Sequence, residues 1–204
     1  REGYTIIRFD PSINVVGNDI SLGLAQYLRE NSDNFDVIHS HSHLYFSTNL
    51  AAMKSRVSNI PLAITNHGLY SQTASRQLQR FYLRTAGRWT FNQADIVFCY
   101  TEEEKQRLRS HGVDADIDVI SNGIDHTRFC PDGETSNLIH GDGPVVLDVA
   151  RLVEGKRPKD AIRAADLLRE KYPDIEMYLC GDGHMRSELE DLIADKDLMD
   201  NVLL

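Results

Sequence analysis

Apolar positions along this chain fall into short unbroken runs, separated by stretches with helical spacing. The runs at 4–9, 36–40, 61–65, 95–100, 116–120, 144–150, 174–180 and 201–204 have strand length. Between them, spacings of three and four predict helices over 19–30, 44–57, 73–93, 102–111, 158–171 and 184–195. Thr101 followed by Glu104 reads as a capping box for the fourth helix. Ala161, Ile162, Ala165 and Leu168 form the buried stripe of the fifth. Near-continuous apolar strands that alternate with helices predict an α/β fold, its parallel sheets covered on both faces.

One stretch breaks this rhythm. From Ser121 to Gly143 the chain is polar, rich in Gly and Asp, and without a period. A loop that long is functional or joins domains. We therefore expect one domain over 1–123, a linker over 124–143 that Phe129 and Pro131 tack to a surface, and a second domain over 144–204. The chain opens at Arg1 without a methionine and stops in an apolar run at Asn201–Leu204. The expectation is an internal piece of a longer protein, with both sheets incomplete.

Composition narrows the function. The 204 residues are 41% hydrophobic, enough for a real core, and carry 22 basic against 31 acidic side chains. The resulting net charge of −9 argues against a nucleic-acid partner. No apolar stretch approaches the roughly 18 residues of a membrane span. Cys99, Cys130 and Cys180 have no metal-like spacing; Cys99 and Cys180 read as small core residues. An odd, sparse cysteine set suits a reducing compartment, so a cytoplasmic location is expected.

Residues 144–204 hold 9 basic and 14 acidic side chains, so an anion site there needs cations placed locally. The segment VVLDVARLVEGKRP supplies Arg151 at the end of a strand and Lys156 in the following loop, with Pro158 suited to a first helical turn. Alone, such a pair reads as two solvated surface residues. At the carboxyl end of a parallel strand and beside a helix N-terminus, it reads as a place for a diphosphate. Arg151 can grip phosphate oxygens with its fork, and Lys156 acts as a point charge.

Other candidates carry two readings each. His67 ends an apolar run and precedes Gly68, which lets a ligand approach the backbone; it is also the kind of histidine satisfied at a strand end. His39, His41 and His43 alternate, which invites zinc, but no fourth ligand sits at suitable spacing and His43 falls beyond the strand, so no metal is expected. Gly181, Asp182 and Gly183 form a tight strand-to-helix turn in which Asp182 can help cap the next helix. Arg76, Arg80, Arg84 and Arg88 make a basic stripe. It reads first as a solvated face, and otherwise as a surface for anionic lipid. No G-x-G-x-x-G follows a strand, which argues against a nicotinamide-dependent dehydrogenase.

Six segments in order resemble the retaining GT-B glycosyltransferases of family 4. DVIHSHS (36–42) resembles "DVIHAH", AITNHG (63–68) resembles "TxHG", and ADIVFCYT (94–101) resembles "ADxVxxxS". VISNGID (119–125), with Phe129 and Pro131, resembles "VIPNGVD…F.P". ARLVEGK (150–156) resembles "GRLVPEKG", and CGDG (180–183) resembles "GDGP". Ala150, Arg157 and His184 depart from the usual Gly, Gly and Pro. The family's amino-terminal Gly-rich loop and its carboxyl-terminal E-x7-E motif are absent.

The resemblance implies two Rossmann-like domains, the first on the acceptor side and the second binding the donor. It implies metal-independent, retaining transfer of a hexose from a nucleotide diphosphosugar, with no cofactor. The acceptor would be a glycan, a lipid-linked sugar or a small hydroxyl compound, and contact with the inner face of a membrane would follow from the lipid-linked case. Arg151 and Lys156 would hold the donor diphosphate and, with His67, act in catalysis. Gly181, Asp182 and Gly183 would line the nucleotide pocket. His39, His41 and Gly68 would border the acceptor side, and Asn122 and Gly123 would mark the domain crossover. A sugar-nucleotide epimerase of the same fold, or a non-catalytic nucleotide-sugar-binding piece, are the alternatives. The 204-residue piece is expected to be inactive by itself.

Overall fold

The computed structural model describes residues 3–15, 18–70, 75–133, 136, 137, 139 and 143–204. The chain divides into two compact units, Arg1–Ile124 and Asp125–Leu204.

The first unit begins with an antiparallel pair, β1 (Ile13–Val15) and β2 (Asn18–Ile20). Then come α1 (Leu22–Asn31), β3 (Ile38–His41), α2 (Phe46–Ser58) and β4 (Leu62–Thr65). The next helical stretch comprises α3 (Arg76–Tyr82), a π turn over Leu83–Gly87 and α4 (Arg88–Phe91). The unit closes with β5 (Ile96–Cys99), α5 (Glu102–Ser110) and β6 (Asp116–Val119). Side-chain oxygens start the helices. Ser21 Oγ accepts from Leu24 N, Ser75 Oγ from Leu78 N, and Thr101 Oγ1 from Glu104 N. The last is the expected box, except that Glu104 reaches back to Tyr100 N at 3.0 Å rather than to the cap residue. Tyr45, the cap residue of α2, has no side-chain cap, and the Asn18 amide serves instead: its Oδ1 accepts from Phe46 N at 3.0 Å.

The run at 4–9 forms no strand. Tyr4, Ile6 and Ile7 are exposed, and the Phe9 ring lies 5.4 Å from that of Tyr27, tilted against it. An apolar run has strand length without having a neighbour to pair with, and among the described residues this one has none. The helix expected from 19 starts instead after Ser21.

Strands β3-β4-β5-β6 form one parallel sheet in that order. Right-handed crossovers that always step the same way put every helix on the same face. Ala51 and Ala52 of α2, Leu83 of the π turn, Phe91 of α4 and Leu108 of α5 accordingly pack with Leu62, Ile64, Val97 and Ile117 in a single core. The other face carries His39, His41, Thr65, Phe98 and Asp118, exposed or half-buried.

The second unit repeats the logic with β7 (Val145–Val149), α6 (Pro158–Leu168), β8 (Glu176–Cys180), α7 (Arg186–Asp195) and β9 (Val202–Leu203). Its parallel order is β7-β8-β9. Ile162, Ala165, Leu189 and Ile193 cover Met177, Leu179 and Val202. On the opposite face Leu147 is 63% and Val149 72% exposed. The expected covering of both faces is therefore not found among the described residues, because neither strand order reverses. Cys99 is buried as expected, whereas Cys180 lies on the uncovered side and is exposed. Phe129 is also exposed, with the Arg128 guanidinium over its ring.

Candidate functional site

In the second unit, the chain leaving β7 is zipped to the chain leaving β8. Ala150 N donates to Cys180 O at 3.2 Å, Leu152 N to Asp182 O at 2.9 Å, and Met185 N to Leu152 O at 3.2 Å. The two strand exits approach so closely that a Cβ on Gly181 would run into the Ala150 carbonyl, and one on Gly183 into the Leu152 carbonyl. This steric limit explains the two glycines. Asp182 Oδ1 accepts from Gly183 N at 2.8 Å, and Met185, the cap residue of α7, makes no side-chain cap, so among the described residues Asp182 caps no helix.

Arg151 sits on this paired exit. Lys156 ends a short 3-10 turn, Glu154–Lys156, just before α6. Arg157 takes the left-handed conformation (φ 57°) where the family motif has Gly, and Pro158 opens the helix. The local carboxylates are spent on other cations: Arg157 pairs with Asp160, which also holds Arg163, and Lys159 pairs with Glu188. Glu154 accepts from its own backbone N–H and meets His184 Nε2 at 2.9 Å, which together keep its carboxyl below the usual range. Arg151 and Lys156 are exposed, and among the described residues neither side chain has a hydrogen bond or ion pair.

In the first unit, the polar residues gather at the carboxyl end of the sheet. Parallel register sets His41 beside Thr65 and Thr65 beside Phe98. Two residues further on, His67 and Tyr100 are neighbours for the same reason. Tyr100 Oη and His67 Nδ1 are 2.6 Å apart, and His67 Nε2 and His41 Nδ1 are 2.9 Å apart. The His39 and His41 rings lie 4.7 Å apart, and His39 Nε2 meets Thr65 Oγ1 at 2.8 Å. Partial desolvation, then the neighbouring His39 and His67, hold the His41 pKa below its ordinary value. Gly68 has φ 109°, a backbone conformation unsuited to other residues. Next to it lies a cavity of about 210 Å³ lined by Leu69, Tyr70, Thr101, Glu103 and Arg107.

His43 does not belong to this surface. Ser42 takes φ 64°, and the chain turns inward, so the His43 ring is fully buried against Phe91 and Tyr82. Its Nδ1 meets Asn66 Oδ1 at 3.0 Å, and Asn66 Nδ2 donates to Glu104 Oε1 at 2.5 Å. Burial lowers its pKa to about 4. Among the described residues, no group of three or more His, Cys, Asp or Glu side chains is arranged to hold a metal ion. Asn122 and Gly123 are exposed at the end of the first unit, outside any helix or strand. Tyr100, Asn66 and Glu104 were missed in the sequence, although the strand register alone places Tyr100 beside His67.

With this geometry in hand, the chain can be placed. Residues 5–128 match the profile of Glycosyltransferase Family 4, and residues 133–204 match Glycosyl transferases group 1. The chain belongs to Glycosyltransferase Family 4, and its parallel α/β units are of the GT-B type. Among curated relatives, it is 31% identical over 126 residues to a GDP-mannose-dependent alpha-(1-6)-phosphatidylinositol monomannoside mannosyltransferase of Mycolicibacterium smegmatis, covering 59% of this chain and 33% of the relative. It is 28% identical over 190 residues to a D-inositol 3-phosphate glycosyltransferase of Pseudarthrobacter chlorophenolicus, covering 85% and 44%. The crystal structure of Anabaena HepE in complex with UDP-glucose superimposes with a TM-score of 0.68 at 21% identity, over 89% of this chain and 50% of that one. The chain thus spans about a third to a half of the length of the curated relatives it matches.

Proposed function

We propose that the protein transfers a hexose, with retention, from a nucleotide diphosphosugar to a sugar, lipid-linked or small hydroxyl acceptor. The observation that carries this reading is the cation pair at the β7 exit. Arg157 and Lys159 are neutralised by carboxylates, while Arg151 and Lys156 are left for an external anion.

In this reading, Arg151 and Lys156 hold the donor diphosphate, and the Gly181–Gly183 turn lines the nucleotide pocket. As the sugar C1–O bond breaks, negative charge grows on the departing diphosphate. Fixed cations stabilise that charge by about 2–4 kcal/mol per contact, with no metal required. The acceptor oxygen attacks C1 on the same face, and its proton passes to the departing phosphate oxygen. No protein nucleophile is needed. His39, His41 and Gly68 border the acceptor side, and His67 acts in catalysis with Arg151 and Lys156.

The basic stripe supports a lipid-linked acceptor met at the inner face of a membrane. Arg76, Arg80, Arg84 and Arg88 are exposed beside the exposed apolar side chains Leu78, Phe81 and Trp89. Among the described residues no helix is long and apolar enough to cross a membrane.

The test is a transfer assay of the full-length protein with UDP-, GDP- and ADP-sugars and an acceptor panel, with the products read by NMR at the anomeric carbon. A retained anomer on an acceptor is expected, and about a hundredfold or greater loss of rate in Arg151→Ala or Lys156→Ala. Epimerisation of the donor without an acceptor, or near-normal turnover in both variants, contradicts the proposal.

A further inference from the structure

A second line of hydrogen bonds joins the strand exits of the first unit. It starts at His43, beyond β3, and passes through Asn66, beyond β4, to Glu104 in the first turn of α5. Glu104 then reaches back to Tyr100 N, just beyond β5. Side chains thus connect three successive exits. His43 and Asn66 are fully buried, and Glu104 is half-buried.

The direction of this line is set at its Glu104 end. A carboxylate has no proton to give, so each of its oxygens calls for a donor. One takes the Tyr100 N–H at 3.0 Å, and the other takes the Asn66 amino group at 2.5 Å. The Asn66 amide oxygen is left facing His43 and accepts from Nδ1–H at 3.0 Å. Burial keeps the His43 ring neutral, its pKa lowered to about 4, so it has one proton to place. That proton lies on Nδ1, and Nε2 keeps a lone pair that meets no donor among the described residues.

His67 lies between Asn66 and Gly68. Gly68, at φ 109° and without a Cβ, gives the chain after His67 little restraint. The restraints come from Asn66 before it and from Tyr100 beside it, whose Oη lies 2.6 Å from His67 Nδ1. One carboxylate holds both. We propose that Glu104 and Asn66 are positioning residues, which fix His67 for sugar transfer by tying the β4 and β5 exits together. The proposal rests on the reading that His67 acts in that transfer; the tie itself does not. A reacting group misplaced by about 1 Å loses about a hundredfold in rate, so a tie two residues from the chemistry is felt there.

The test compares variants of the full-length protein. Glu104→Ala removes both acceptors at a helical position that suits alanine. Its kcat should fall about a hundredfold. Its affinity for UDP, GDP and ADP should stay unchanged in calorimetric titration, because Arg151 and Lys156 of the second unit hold the diphosphate. Glu104→Asp, too short to reach both partners, should lose kcat in the same sense. Glu104→Gln keeps the tie by reversing the line. Its oxygen accepts from Tyr100 N, its amino group donates to Asn66 Oδ1, and Asn66 Nδ2 then faces His43 Nδ1. Most of kcat should remain, and the His43 proton should move to Nε2. Two-bond proton–nitrogen correlation NMR on nitrogen-15-labelled protein at pH 7.5 reads that change directly. A merely structural role would lower the urea midpoint without changing kcat of the folded protein. Full kcat in Glu104→Ala and Glu104→Asp, an equal loss in Glu104→Gln, or an unchanged His43 pattern in Glu104→Gln overturns the proposal. Absence of turnover in the unsubstituted protein overturns the sugar-transfer reading instead, and the His43 pattern still tests the tie.

Discussion

Acidifying the protein from pH 7.5 to 4.5 should cost about 2.5 kcal/mol of stability through one ring, His43. The ring is fully buried, and its pKa falls from 6.5 to about 4 because desolvation penalises the charged form. Protonation would place an N–H at Nε2, which among the described residues has no hydrogen-bond partner, on a ring packed against Phe91. Between pH 6.5 and 4 the unfolded chain therefore holds a proton that the folded chain refuses. Stability is fully present above pH 6.5 and is lost as the pH falls toward 4. Each pH unit in that window is worth about 1.4 kcal/mol, which gives about 2.5 kcal/mol by pH 4.5. His41 adds to the loss in the same direction, but it is exposed and its share is smaller. The lowered carboxyls of Asp160 and Asp166 lose their contributions only below about pH 4. Urea unfolding followed by far-UV circular dichroism at pH 7.5, 6.5, 5.5 and 4.5 measures the slope. His43→Leu should be less stable at pH 7.5, because Asn66 Oδ1 loses its donor, but nearly flat over the same range. A flat profile in the unsubstituted protein, or the same slope in His43→Leu, would refute the reasoning.

Three further outcomes are expected. Gly181→Ala should lower the urea midpoint by an amount equivalent to about 1–3 kcal/mol, because its Cβ meets the Ala150 carbonyl; an unchanged midpoint would show that the strand exits are looser than described. Transfer should persist in EDTA, since the cation pair already supplies the charge; complete loss restored by zinc or magnesium would contradict this. Arg80→Glu with Arg84→Glu should abolish sedimentation with vesicles containing anionic lipid, and equal sedimentation of the double variant would remove the stripe from the account.

The alternation of apolar runs and helical periods made the α/β class legible, because each buried strand and amphipathic helix records its own environment. Pairing is not local information, and this is why the Tyr4–Phe9 run was misread as a strand. Coverage of the sheets failed for a related reason. Whether helices sit on one face or two depends on strand order, and β3-β4-β5-β6 steps one way throughout. At the candidate site, His39, His41, His67 and Gly68 were visible as motif residues. Tyr100 was not, because its role comes from lying two residues beyond Phe98 as His67 lies two beyond Thr65. That His43 leaves the strand was legible in the sequence; that the left-handed turn at Ser42 takes it into the core was not.

The central claim is that Arg151 and Lys156 hold a nucleotide diphosphate, and calorimetric titration tests it most directly. The protein should bind at least one of a set of UDP-, GDP- and ADP-sugars, and Arg151→Ala and Lys156→Ala should each weaken that affinity by about 2 kcal/mol, or about thirtyfold. Equal affinity in both variants, or no binding of any of these ligands by the unsubstituted protein, would contradict the claim.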